Sequence, residues 1–328
     1  MPIQKRPLRS SLNYSMILRL FFVFILILWF GFFSYTKSTS VTDKKSEEQQ
    51  NLYKKLELKL RGSAAGNTDG EVRLSHLSRH ISTGGSGELS HLVIVAGHAV
   101  LRLNKLSVAD TQDAAWYLLN YQLNQGFPSI IISHIHRGVE LTTNDEEAVL
   151  IFSGGQTRRD VGPTSEAASY YYVANDKEML NSIRARTYLE EYARDSYENL
   201  LFSICRFKEV TGRYPARITV VGFDFKRQRF IELHRKAIGF PIGNFTYSGV
   251  RPTHPNFDHK KSEDGEKIAL KSFENDMYAC ADPTLANKKQ IRNPFNRTVP
   301  YELACPEMKS LLHWCGPDLF HFQGLPWY

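Results

Sequence analysis

Apolar and polar positions fall in blocks along this chain, and the blocks predict its elements. The first block, Met16 to Tyr35, is apolar throughout except for Arg19 near its start. About 20 apolar residues match the thickness of a bilayer core, so a transmembrane helix is predicted there. Polar residues dominate from Ser38 to Gln50, and the stretches 62–70 and 82–87 are rich in glycine and small polar residues. They predict a flexible stem. From His91 onward, short apolar runs alternate with helical spacings. His91–Ala96, rich in branched residues and bounded by Gly97, predicts a buried strand. Ser129–Ser133, Val149–Phe152 and Ile218–Phe223 predict three more. Helical spacing predicts helices over 111–125, with Gly126-Phe-Pro128 as its stop, and over 165–174, 196–210 and 228–238. Strands alternating with helices argue for an α/β domain whose sheet is mostly parallel, with helices on both faces.

After about Gly243 the pattern weakens. Residues 253–267 are rich in charge and histidine and predict a surface loop. Aromatics crowd the end of the chain, at Trp314, Phe320, Phe322, Trp327 and Tyr328, and predict a cover packed on the domain. The expected organisation is a cytosolic tail (1–15), a signal anchor (16–35), a stem (36–88), the α/β domain (89–245) and a packed C-terminal extension (246–328).

Composition and charge narrow the setting. With 328 residues, 42% hydrophobic and 23% charged, the chain can bury a sizeable core. The net charge of +7 is scattered rather than gathered into a stripe, which argues against a nucleic-acid partner. Lys5, Arg6 and Arg9 precede the apolar block, which places the amino end in the cytosol and the body across the membrane. A cleaved signal peptide is the rival reading, but no A-x-A-like site follows the block. Two sequons, at Asn244 and Asn296, fit a glycosylated body in the endoplasmic reticulum or Golgi. Cys205 reads as a buried helix position. Cys280, Cys305 and Cys315 leave room for one disulfide whose pairing the sequence does not fix. No Cys/His spacing suggests zinc.

The candidate chemistry sits where strands end. Ser153-Gly154-Gly155 follows a strand, with Thr157 nearby. Glycines let backbone N–H groups approach an anion, and hydroxyls add donors. Glu166, in the first turn of a helix, is either a helix-end charge or a carboxylate aimed at the strand ends. Asp195, Ser196, Glu198 and Asn199 together exceed what one helix cap needs. Asp224 ends a strand, and Arg229 beyond it suits phosphate or carboxylate, with a structural Asp–Arg pair as the alternative. Gly97 and His98 form another edge of the same region. The acid–base or metal-binding roles fall to Glu166, Asp195 and Glu198. Ligand contacts fall to Gly97, His98, Ser153, Gly154, Gly155, Thr157, Asn199, Asp224 and Arg229. Motifs for serine hydrolases, P-loop enzymes, dinucleotide folds and zinc proteases are absent.

Taken in order, Gly97, Ser153-Gly-Gly155, Ser165-Glu-Ala167, Asp195-Ser-x-Glu-Asn199 and Val221-Gly-Phe-Asp-Phe225 with Arg229 resemble the domain of unknown function numbered 218. Its bacterial members are of the SanA, ElyC and YdcF types. The resemblance spans Leu92 to Phe240, and the tail with Asn293-Pro-Phe and Cys305-Pro-Glu looks like an extended eukaryotic branch. It implies a Rossmann-like three-layer fold and a site made of Gly154, Gly155, Glu166, Asp195, Glu198, Asn199, Asp224 and Arg229. It implies links to envelope or cell-wall assembly, S-adenosylmethionine as a cofactor from the YdcF type, and a divalent metal as the alternative by analogy with the family. The chain departs from the bacterial pattern at Ala96-Gly97-His98 and at Lys226, where a histidine is common. Residues 134–147 look like an insertion. The expectation is a lumenal, membrane-anchored domain that binds or processes a small polar, phosphorylated or nucleotide-like ligand. The rivals are a non-catalytic, membrane-tethered module for protein partners and an S-adenosylmethionine-binding protein.

Overall fold

A computed structural model describes residues 88–328. Five strands form one parallel sheet: β1 (His91–Ala96), β2 (Ala148–Ser153), β3 (Thr187–Glu190), β4 (Arg217–Phe223) and β5 (Phe245–Val250). Their order is β3-β2-β1-β4-β5. Every residue of β1 and β2 is buried, as expected of parallel strands covered on both faces. Side chains alternate between two cores. Leu92, Ile94, Val149, Ile151 and Val220 face one layer; Val93, Val95, Leu150, Phe152 and Val221 face the other. The first layer holds helix α3 (Ser196–Thr211), the segment Arg229–Ala237 and the C-terminal extension. The second holds α1 (Phe127–Thr143) and α2 (Glu166–Asp176). The result is a three-layer, Rossmann-like α/β arrangement.

One part of the expected fold is corrected. Among the described residues no helix is long and apolar enough to cross a membrane. The apolar block Met16–Tyr35, the cytosolic tail and nearly all of the expected stem lie outside the described residues.

Local expectations fared unevenly. Residues 111–125 do not form a helix. They make short 3-10 turns and a two-residue strand, Trp116–Tyr117, paired antiparallel with Val100–Leu101. Trp116 is buried and its indole N–H donates to the Ala109 carbonyl at 2.7 Å, which favours this local path. Gly126 and Pro128 begin an element rather than end one. Gly126 takes a left-handed φ of 73° as the N-cap of α1, and Pro128 sits in the first turn, where its missing N–H costs nothing. Ser129–Ser133 is therefore helical, with Ile130, Ile131, His134, Ile135 and Gly138 on the buried face. Most of residues 134–147, expected as an insertion, is the second half of this crossover helix. Residues 259–275 form α4 (His259–Asn275), capped by Asp258, whose Oδ1 accepts from the Lys261 N–H at 2.9 Å. A surface loop was expected there.

The C-terminal extension is part of the same core. Phe273, Leu285, Tyr301, Met308, Leu311 and Leu325 are buried with the strands, and the boundary at 245/246 falls inside β5. Helix α5 (Pro283–Ile291) adds to the cover. The cysteines form two disulfides, Cys205–Cys305 and Cys280–Cys315, rather than one with a cysteine left over. Cys205 is a buried helix position and a bridge to the extension as well. Closing a 100-residue separation restricts the unfolded chain by about 4.7 kcal/mol on the chain-entropy model, and the 35-residue separation by about 4.

Candidate functional site

The chain runs from β1 outward through β2 to β3, then returns across β1 to β4 and β5. The carboxyl ends of β1 and β4 therefore flank a topological switch point, where open α/β sheets bind ligands. A cleft of about 1090 Å³ opens there. Gly97 and His98 follow β1, Thr157 and Glu166 follow β2, and Asp195, Ser196 and Asn199 follow β3. Phe223 ends β4, while residues of α4 and α5 line the cleft from the extension.

Glu166 is the first residue of α2, held there by its N-cap Ser165, whose Oγ accepts from the Ala168 N–H at 2.9 Å. Its Oε1 accepts from Thr157 Oγ1 at 2.9 Å. The backbone closes tightly around it. A Cβ at position 97 would lie 2.6 Å from Glu166 Cβ, and one at position 154 would lie 2.8 Å away. Burial pushes the carboxyl above its ordinary range, opposed by Arg292, Thr157, Lys226 and Arg158. It forms no ion pair among the described residues.

The two glycines expected to cradle an anion do not do so through their amides. Gly154 N–H donates to the Glu190 carbonyl at 3.0 Å, and Gly155 N–H to the Ala193 carbonyl at 2.8 Å. Gly154 instead makes room for Glu166, as Gly97 does. Neither Gly154 nor Gly155 lines the cleft. Ser153 is fully buried and donates to Glu190 Oε2 at 2.7 Å, so it is a structural hydroxyl. Glu190 ends β3 and was not anticipated from the sequence, where it is one carboxylate at the end of an ambiguous segment. Burial raises it to about 7, against hydrogen bonds from Ser153, Tyr192 N–H and Tyr301.

The cluster after β3 divides. Asp195 caps α3, accepting from the Glu198 N–H at 2.9 Å, and lines the cleft with Asn199. Asn199 accepts from Ser153 at 3.2 Å. Glu198, expected as a catalytic candidate, lies apart from the cleft. It is 3% exposed and gripped at both oxygens by Arg194, at 2.9 and 2.5 Å. Asp224 is also outside the cleft, in an exposed pair with Arg227 at 2.8 Å. Arg229 reaches the cleft, but its guanidinium is bound bidentately by Glu266 at 2.8 and 2.7 Å, which removes it as a free anion holder. His98 lies at the strand end against Phe223 and His134, with ring centroids 4.9 and 5.4 Å away. Burial, then Lys226 and His134, hold its imidazole well below the ordinary range, so it is neutral.

Lys226, Lys288 and Arg292 were not singled out from the sequence as ligand groups. With Lys261 they line the cleft, and none of the four makes an ion pair among the described residues. Arg292 donates to the Arg194 carbonyl at 2.8 Å. Burial first, then Arg229, Lys288 and Arg292 acting against Glu266, lower the Lys226 amine to about 7. Beside it, Phe223, Phe225 and Phe257 stack at interplanar angles of 22–25°. Phe223 and Phe225 flank Asp224 in the sequence motif, so a signal was present. Among the described residues no three His, Cys, Asp or Glu side chains gather as metal ligands. Asn244 and Asn296 are both exposed.

No family model matches the chain, and no solved structure matches it. A curated relative, the uncharacterised protein YOR238W of Saccharomyces cerevisiae, is 33% identical over a stretch taking in 65% of this chain and 87% of the relative. That coverage places most of the relative on this chain, and the chain belongs to the same family as the yeast protein.

Proposed function

We propose that the cleft binds a phosphorylated, nucleotide-like ligand and that Glu166 is the group positioned to exchange a proton with it. The observation that carries this reading is the convergence of Lys226, Lys288 and Arg292 on one cleft, none of them held in an ion pair among the described residues. Like charges brought together in a partly desolvated site repel one another, and a phosphate relieves that repulsion. Phe225, the partly exposed ring packed on buried Phe223 and Phe257 at the cleft, suits a planar base. A carboxyl raised above its ordinary range holds a proton more readily, which suits acid–base work.

The same field opposes S-adenosylmethionine, the cofactor suggested by the resemblance to the YdcF type. Its sulfonium is a cation, and the unpaired charges lining this cleft are predominantly positive. Among the described residues no three acidic or imidazole side chains gather to hold a divalent metal. The paired cysteines favour an oxidising compartment. With exposed Asn244 and Asn296, they support a body in the secretory lumen.

Thermal unfolding of the full chain tests the ligand class. Adenosine diphosphate, a nucleotide sugar and S-adenosylmethionine are compared for wild type and Lys226→Met. A ligand at a hundred times its Kd stabilises by about 2.7 kcal/mol. The expected result is stabilisation by one of the phosphorylated compounds, lost in Lys226→Met. Stabilisation by S-adenosylmethionine alone, or by no compound in a cooperatively folding sample, would overturn the proposal.

A further inference from the structure

Large apolar side chains on the surface of a protein are ordinary when scattered, but several around one opening form a patch that needs an occupant. Leu119, Tyr121, Ile268 and Ile291 are 39%, 58%, 72% and 66% exposed, and all four line the cleft described above. They come from three separate parts of the chain: the turn after Trp116–Tyr117, helix α4 and the end of α5. The patch is next to the cations. Ile291 adjoins Arg292 and lies three residues from Lys288, so Lys288 and Ile291 share a helix face. Tyr121 is close enough to Arg292 and Glu166 to feel both charges. The cleft therefore has two chemistries within one opening: unpaired positive charge, and exposed apolar surface that water covers poorly.

We infer that the ligand is an amphiphile, an anionic phosphate attached to a hydrocarbon chain that covers Leu119, Tyr121, Ile268 and Ile291. The inference rests on the anion-binding reading of the same cleft. The phosphate meets Lys226, Lys288 and Arg292, and the chain leaves along the apolar rim. A nucleotide without such a tail fills the charged part and leaves the rim wet.

The test measures equilibrium binding of the full chain to dodecyl phosphate, butyl phosphate and dodecyl maltoside, each below its self-association concentration. Dodecyl phosphate is expected to bind at least about tenfold more tightly than butyl phosphate, because added methylenes leave water. It is also expected to bind at least about tenfold more tightly than the uncharged maltoside, because the phosphate meets uncompensated cations. The double variant Ile268→Ser/Ile291→Ser, at exposed positions, should bring the dodecyl-to-butyl ratio towards one. Leu303→Ser, 93% exposed and outside the cleft, should leave that ratio as it is. A ratio near one in the wild type, equal binding of the maltoside, or a ratio unmoved by the double variant would overturn the inference. If butyl phosphate binds through Lys226 while the ratio is one, only the tail is refuted. If neither phosphate binds, the anion reading falls with it.

Discussion

Two sets of charges lie within a few residues of each other, and they behave as opposites. In one set every charge has a partner: Arg229 with Glu266, and Arg194 with Glu198. In the other, Lys226, Lys288, Arg292 and Glu166 share the cleft without forming an ion pair among the described residues. Paired charges of this kind fix one element against another: Arg229 and Glu266 tie α4 to the segment after β4, and Arg194 and Glu198 hold the start of α3. Unpaired charges held near one another raise the free energy of the empty protein and lower it when a counter-charge arrives. The comparison teaches that proximity to the strand ends does not by itself mark a ligand group; the state of its partners does.

The largest effect is expected from breaking the paired set. Glu266→Ala leaves the Arg229 guanidinium buried without its carboxylate, and removing one partner of a buried pair costs about 3–5 kcal/mol. Chemical denaturation would measure this. A loss below about 1 kcal/mol would show that the pair does not hold α4 in place. Next is Gly154→Ala. Its Cβ would meet Glu166 at 2.8 Å, so either the helix start or the carboxylate must shift. A loss of about 1–3 kcal/mol is expected, the range for overpacking a tight site. Neutral tolerance would show that Glu166 is not held where the geometry puts it.

The unpaired set is expected to behave in the reverse way. Lys226→Met should not lower Tm, since it removes a repelling, desolvated charge, while ligand binding should fall at least about tenfold, or 1.4 kcal/mol. The same lysine sets a pH dependence. Its amine is lowered to about 7 in the folded chain from an ordinary 10.5. The unfolded chain therefore holds the extra proton between those values, and this group makes stability rise with pH across that window. Anion binding runs the other way, because the ligand needs the protonated amine. Affinity for a nucleotide phosphodiester, whose own charge is constant, should weaken as pH rises through about 7, and Lys226→Met should flatten that slope. A slope unchanged in the variant would assign it to another group. The smallest effect is expected from Asp224→Ala, which breaks an exposed pair with Arg227 worth about 0–1 kcal/mol and should leave ligand binding intact.

Much of the fold was legible because its central strands are buried on both faces. His91–Ala96, Val149–Phe152 and Ile218–Phe223 carry runs that are apolar but for His91 and Thr219. The outer strands do not: Thr187-Tyr-Leu-Glu190 and Phe245-Thr-Tyr-Ser-Gly-Val250 mix polar and apolar residues, because an edge strand has a partner on one side only. Helix α4 hid for a related reason, since Glu266 and Phe273 are its buried residues and most of the others are polar or charged. In the site, the cap geometry of Ser165 and Asp195 was readable from residue type and position. The division between Glu166 and Glu198 was less so. Both open helices, yet Arg194, four residues before Glu198, captures one and leaves the other in the cleft. Lys288 and Arg292 come from α5, more than 60 residues beyond β4, and only the folded extension brings them to the strand ends.

The most direct test of the central claim is a calorimetric titration of adenosine diphosphate into the full chain at pH 6.5, for wild type, Lys226→Met and Asp224→Ala. The account predicts saturable binding in the wild type and in Asp224→Ala, and affinity at least about tenfold weaker in Lys226→Met. Equal affinity in all three, or no binding by a folded wild type, would contradict it.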